Sequence, residues 1–350
     1  MSQSRVFSFS VRVFILCALT ASGTWLHAGD VWNSPAFSVE PAALRAAANA
    51  ISAAKDTGAT MLLNEMRYSF DAQGRTLRIT HTIFRVETQE AVEDWSEVRE
   101  SWQPWYQAAP EIRARVITAD GAVHMLDAKT LSDVPENEDS PDTFSDNRAL
   151  GGPLPAIAAG AIVEEEIVLR DKGVFFAAGD NTRLFLNRSI PVSRSRIILE
   201  HPETFPIRYE THLLPDAKIA KAVSGGVETI TIENGPLEAV TDRTGFAPPE
   251  LAVRPQVEIS TGHSWKEVAS EYARQSEAKL RVSDVQPVLA RLGLKAGSNL
   301  DAVGKIVSYL HNTVRYTGVE FGSARRGWSL NSPRRRSRES MATAKTRRPC

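Results

Sequence analysis

The stretch TMLLNEMRYSFDAQGRTLRITHTIFRVE, Thr60 to Glu87, decides the fold. Its two apolar runs are broken by Asp71 and Gly74, residue types that let a chain reverse, so the stretch predicts a β-hairpin. In the second run Leu77, Ile79, His81 and Ile83 alternate with Arg78, Thr80 and Thr82. That period of two predicts one dry and one wet strand face, with His81 a satisfied core residue on the dry side. Further strands are expected around Ile112–Thr118, Val123–Leu126, Ile162–Leu169, Ile190–Leu199, Ile207–His212 and Glu228–Glu233. Asp120-Gly121 supplies a turn between two of them, and the polar run from Ser132 to Arg148 reads as an exposed loop. Many strands and turns with few helical patterns imply an antiparallel, β-sandwich-like domain.

On either side of this region the pattern is helical. Alanine-rich AALRAAANAISAAK, Ala42 to Lys55, favours a helix leading into the β domain. Proline-rich FAPPELAVRP, Phe246 to Pro255, marks a boundary. Beyond it Ser264 is placed to cap WKEVASEYARQSEAKL, with Glu267 three residues on as in a capping box. Val268, Tyr272 and Ala273 share a face of that helix. A second helix is expected over Asn299–Val314, with Val303, Ile306, Val307 and Leu310 at helical spacing, followed by an extended run from Arg315 to Phe321. The fold class is therefore α+β. Its parts are a helical lead-in (29–58), a β-rich domain (59–245), a linker (246–262), a helical region (263–333) and a tail (334–350). No repeat of fixed period and no nucleotide-binding fingerprint occurs.

Arg5 and Arg12 precede the apolar run VFILCAL, Val13 to Leu19, and Leu26-His27-Ala28 offers a small residue at a cut. Residues 1–28 thus read as a secretory signal peptide, which makes the expected location periplasmic or secreted. The run is shorter than the roughly 20 residues of an ordinary span, so membrane contact is expected only if the segment stays uncleaved as an anchor. Of the two cysteines, Cys17 lies in the leader and Cys350 in the tail, so no internal disulfide is available. Setting aside Arg5, Arg12 and the tail's net six positive charges takes the formal total from −1 to −9. An acidic body excludes a specific nucleic-acid partner, which needs a basic face.

Candidate site residues are few. Of the aromatic group Trp95, Trp102, Trp105 and Tyr106, three surround a bend at Pro104; the group could line a groove for a sugar ring or an extended peptide, or else fill a sandwich core or the domain interface. The acidic run Asp133 to Arg148 lacks the spacing of a helix–loop–helix calcium site and reads as a solvated loop. Glu164-Glu165-Glu166 alternates across a strand, so at least one carboxylate faces inward or toward a partner. His263 and His311 sit near helix ends and read as cap or surface residues. No histidine or cysteine spacing fits zinc, and no metal or other cofactor is expected.

Three motifs carry a family resemblance. WYQAAPEIRARVITADG (Trp105 to Gly121) and PLPAIAAGAIVEEEIVLRD (Pro153 to Asp171) resemble a bacterial β-rich domain of unknown function. IVSYLHNTVRYTGVEFG, Ile306 to Gly322, resembles the helix and following segment ahead of the catalytic Gly-Asp-Cys in transglutaminase-like proteins. The two domains commonly occur in that order in exported proteins. The resemblance implies a thiol enzyme whose cysteine, at a helix N-terminus, works with a later histidine and aspartate in acyl transfer or amide hydrolysis. Those positions do not follow Gly322 here, so no catalytic residue is assigned, and Cys350, with no ordered base beside it, reads as a free thiol.

The tail RRRSRESMATAKTRRPC, Arg334 to Cys350, has the composition of a disordered basic segment. Read from the third base of each codon, however, Met341-Ala342 must give glycine, and permitted codons around it spell Tyr-Gly-Asp-Cys-Lys-Asp. The expectation is a frame shift after Pro333, leaving an inactive truncation with an incomplete transglutaminase-like start at 263–333. Its helices should expose apolar faces, and proteolysis should release a stable fragment of residues 60–245. The alternative is a periplasmic β-sandwich module binding a polypeptide or cell-wall glycan.

Overall fold

The computed structural model describes residues 31–136, 143–205, 207–240, 248, 251–281, 284–294, 299–313 and 318–320. The expected signal peptide, the tail with Cys350, and the middle of the acidic run lie outside them. The protein is α+β and dominated by one sheet. That sheet contains β1 (Ala59–Phe70), β2 (Thr76–Val86), β4 (Glu111–Ile117), β5 (Val123–Met125), β9 (Ile162–Arg170), β11 (Ser195–Pro202), β13 (Lys218–Ser224) and β14 (Val227–Asn234). Their order is β13-β14-β11-β1-β2-β9-β4-β5, antiparallel throughout except for the parallel β1–β11 pair. One smaller sheet orders β3 (Glu97–Trp102), β8 (Arg148–Pro153) and β6 (Ser132–Pro135). A second orders β10 (Asn181–Phe185), β15 (Gln256–Ser260) and β12 (Arg208–His212). β7 (Thr143–Ser145) and β16 (Gly318–Glu320) form a short parallel pair.

The expected hairpin is β1–β2, and its turn has a clear chemical cause. Asp71 Oδ1 accepts from the amides of Gln73 and Arg75, both at 2.9 Å, and Gly74 takes the left-handed φ of 79° that closes the turn. Pairing slips at Leu62, so Met61 joins one core while Leu62 and Leu63 join another. The expectation of a wet face on β2 fails: Thr82 is 6% exposed, and residues 81–86 are all buried. The smaller sheets cover that side. β3–β8 packs over Met61, Phe84, Val116 and Val163, and β10–β15 packs over Tyr68, Ile197, Leu199 and Ile230.

The opposite face is capped by the segment read as a lead-in. In α1 (Pro41–Asn49), Leu44, Ala47 and Ala48 turn inward, and with Val31, Trp32 and Val39 they meet Leu62, Leu63, Ile83, Ile117 and Ile162. Each large side chain so buried contributes about 1.5–3 kcal/mol, so residues 31–49 belong to the β domain's core.

Two further segments differ from expectation. Ser132–Arg148, read as a loop, contains β6 and β7. The span 246–262, read as a linker, supplies β15, the central strand of its sheet, with Gln256, Val257 and Ile259 buried.

After Ser260 come α2 (Trp265–Leu280), α3 (Gln286–Arg291) and α4 (Leu300–Thr313). Ser264 Oγ accepts the Glu267 amide at 3.2 Å and Asn299 Oδ1 the Ala302 amide at 2.7 Å, so both longer helices begin with side-chain caps. Their apolar faces are largely bare, with Val268 and Ile306 half-buried. Trp265, Tyr272, Leu300, Val303, Val307 and Leu310 are all exposed, Trp265 by 86% and Leu300 by 91%, and Ala302 is the buried residue of α4. Among the described residues, no helix is long and apolar enough to cross a membrane.

Candidate functional site

The four aromatic candidates divide between core and cleft. Trp95, half-buried, packs on Phe84 at 4.8 Å between ring centroids, against the core under β3–β8. Trp102, at the end of β3, is 9% exposed, with Nε1 3.4 Å from Asp133 Oδ1. Neither lines the cleft. Trp105 and Tyr106 pack at a tilt, 4.4 Å between ring centroids, and Phe175 closes a triangle with them at 5.5 and 5.6 Å.

Tyr106 and Phe175, with Trp105 behind them, wall a cleft of about 260 Å³ where the β1–β2 turn, the end of β9 and the segment Val174–Asp180 meet the edge of β10–β15. Its apolar lining includes Phe70, Phe176, Phe205 and Ile259. The wall is fixed by close backbone approach. Asp180 N donates to Thr261 Oγ1 at 2.8 Å, and Thr261 N donates to Asp180 O at 3.0 Å. Gly179 has a φ of 102°, and a Cβ there would lie 2.3 Å from Gly262 Cα. Across the cleft, a Cβ on Gly74 would meet Phe205 at 2.8 Å. Only glycine fits at either place.

The polar groups of the cleft are unevenly matched. Arg78 is ion-paired with Glu100 at the floor. Asp171 accepts from neutral donors, the Thr76 amide at 3.0 Å and Gln107 Nε2 at 3.3 Å. Asp180, exposed at the mouth, accepts the neighbouring Asn181 amide at 2.8 Å. Loss of hydration pushes both carboxyls above their usual range, against the hydrogen bonds and, for Asp171, the charge of Arg78, which favour ionisation. Burial, reinforced by the negative charges of Asp171 and Asp180, pushes the Tyr106 phenol up to about 12. Both carboxylates therefore act on the same hydroxyl.

The Glu164–Glu166 triplet is structural rather than part of this cleft. Glu164 Oε1 lies 2.9 Å from His81 Nε2 and accepts the Phe37 amide at 2.9 Å, while Oε2 accepts Arg115 Nε at 2.6 Å. Glu165 points to the other face, beside Thr82 and Arg188. Glu166 pairs with Arg113 at 2.5 Å. His81 is thus the satisfied core residue expected. His263 lies exposed at the cleft's edge and His311 is exposed in the last turn of α4. Among the described residues, no group of three or more His, Cys, Asp or Glu side chains could hold a metal ion. Asp171, Phe175 and Asp180 escaped the sequence reading. The signal available was VFFAAGD, Val174 to Asp180, two aromatics and a Gly-Asp outside any strand pattern.

Residues 72–241 match the model of a domain of unknown function with a solved structure, DUF3857. The matched range begins in the β1–β2 turn and ends before β15, so it cuts through two sheets that the chain completes with strands outside it. No curated protein matches. Among solved structures, the chain is similar to a candidate protease from Parabacteroides distasonis. The TM-score is 0.61 and the identity 16%, over 74% of this chain and 51% of that one. The likeness is one of fold, and the chain spans about half the length of that relative.

Proposed function

We propose that this chain is a β-rich binding module with the leading helices of an exported transglutaminase-like protein, and that its described part binds a ligand rather than catalysing a reaction. The observation that carries the binding reading is the cleft: a preformed concavity with aromatic walls and two carboxylates held by neutral hydrogen-bond donors rather than by ion pairs, the usual anatomy of a ligand site. Amide NMR with pooled extended peptides and cell-wall fragments tests it. Shifts confined to Gln73, Gly74 and Gly179 with their neighbours are expected. No shift there at millimolar ligand would end the reading.

The transglutaminase-like part of the proposal draws support from the Ile306–Gly322 motif, the fold likeness to a candidate protease, and the largely bare faces of α2 and α4. Helices with such faces ordinarily pack against further structure. The alternate frame across 334–350 belongs to the same proposal, and sequencing the DNA through codon 334 and beyond tests it. An open frame encoding a later histidine and aspartate is expected; early closure would sink it.

Because residues 31–49 and β15 both lie in the core, limited proteolysis should leave a stable fragment of about residues 31–260, with first cuts among α2 and α3. A stable product ending near residue 245 would contradict the β15 packing.

A further inference from the structure

We propose that the cleft binds a primary ammonium group carried on a short apolar stem, the stem lying on the Tyr106–Phe175 wall and the charge held by Asp171 and Asp180. This deepens the binding reading and rests on it.

Three observations converge. The first is charge. Arg78, the guanidinium of the lining, is ion-paired with Glu100; its charge reaches Asp171 as well, but neither Asp171 nor Asp180 forms an ion pair, and Asp180 has no cation acting on it. The hydrogen-bond partners of Asp171 and Asp180 are backbone amides and a glutamine, which stabilise a carboxylate less than an ammonium does. The second is the wall. Tyr106 and Phe175 line the cleft with those carboxylates, and ring faces attract cations as well as methylene groups. The third is size. About 260 Å³ falls just below the usual range for a whole small-molecule ligand, so the cleft suits one side-chain-sized group rather than a folded or branched one. An anion would meet two like charges, and a neutral apolar group would leave both carboxylates dehydrated and unmatched.

A lysine side chain on an extended peptide and a free alkyl diamine share this chemistry, and the test separates them. The probe is a fluorescein-labelled, end-blocked Ala-Ala-Lys-Ala-Ala peptide, read by anisotropy against the full chain. Its norleucine counterpart is the neutral control and 1,5-diaminopentane the competitor. The lysine peptide is expected to bind at least roughly tenfold tighter than the norleucine peptide, and Asp180→Asn to weaken it by a similar factor. Asp180 is exposed, so the variant should keep the parent melting temperature. Asp120→Asn, in the β4–β5 turn, should bind as the parent does. Binding of the diamine alone, with the same loss in Asp180→Asn, also supports the proposal and names the free amine as the source. Equal binding of lysine and norleucine peptides overturns the ammonium assignment and leaves the cleft a binding site. Failure of every probe at millimolar concentration overturns it too, and the pooled NMR screen then decides separately whether the cleft binds anything.

Discussion

Glu164→Ala is expected to destabilise the protein by about 3–5 kcal/mol, the usual result of removing one member of a buried charge pair. Glu164 is 1% exposed and Arg115 6% exposed. The carboxylate joins β9 to β4 through Arg115, to β2 through His81, and to the N-terminal segment through the Phe37 amide. Without it, Arg115 keeps the Val39 carbonyl, at 2.8 Å, but has no counter-charge there. A domain has only about 5–15 kcal/mol of total stability, so the variant should be partly unfolded at modest urea concentrations. Urea denaturation against Glu166→Ala checks this, since the neighbouring Glu166–Arg113 pair is solvent-facing and should be worth at most about 1 kcal/mol. Equal midpoints in the two variants would refute the assignment. Burial pushes the Glu164 carboxyl up, but the hydrogen bonds from His81 and Phe37 and the charge of Arg115 outweigh it and hold the pKa low. Such a group is more easily ionised folded than unfolded. Its contribution is present above the unfolded value of about 4.5 and is lost as pH falls through its lowered one.

Glu165→Gln should do the reverse and stabilise the protein at pH 8 by up to about 3 kcal/mol. Burial pushes the Glu165 carboxyl from 4.5 up to about 7, against the Thr82 hydroxyl, at 3.2 Å, and the nearby charge of Arg188. The folded protein therefore holds this proton more tightly than the unfolded chain. The contribution is full below pH 4.5 and disappears as pH rises through about 7. Glutamine keeps the shape and stays neutral, so the variant and its parent should match at pH 4 and diverge by pH 8. The gain is an upper figure because Arg188, which also donates to Asn64 Oδ1 at 3.2 Å, loses one of its two nearby counter-charges. Denaturation at the two pH values tests it. An unchanged pH dependence in Glu165→Gln would show that this carboxyl is not the titrating group.

These adjacent glutamates show where the sequence stops being legible. Period-two alternation correctly put Glu164 and Glu165 on opposite faces, because strand geometry alone decides that. It could not tell which face was covered by what, since the covering layers come from residues 31–49, 97–153 and 181–260. The β1–β2 hairpin was legible because Asp71 and Gly74 close it with local hydrogen bonds. The α2 start was legible for the same reason, through Ser264. β11 was placed too early, at Ile190. Pro191 has no amide to donate, and Val192 forms only isolated bridges to Met61 and Leu237 before regular pairing begins at Ser195. β15 was hidden by the prolines in front of it; its pairing comes from β10 and β12 and its burial from β1, β11 and β14, all distant in sequence. The cleft shares that character. Tyr106 was identified from local aromatic density, but Asp171 and Asp180 gain their meaning only from the turn of β1–β2 folded against them.

The parallel β1–β11 pair bears on how the chain reaches this structure. Asn64 aligns with Ser195 and Ser69 with Glu200, so the central strand of the sheet waits for a partner about 130 residues downstream. Until that partner is made, one edge of β1 presents a row of unmatched amides and carbonyls flanked by Met66 and Tyr68, the kind of edge that recruits foreign strands. Nascent chains shorter than about 200 residues should therefore be held open by chaperones or aggregate, and the sheet should close late and in one step.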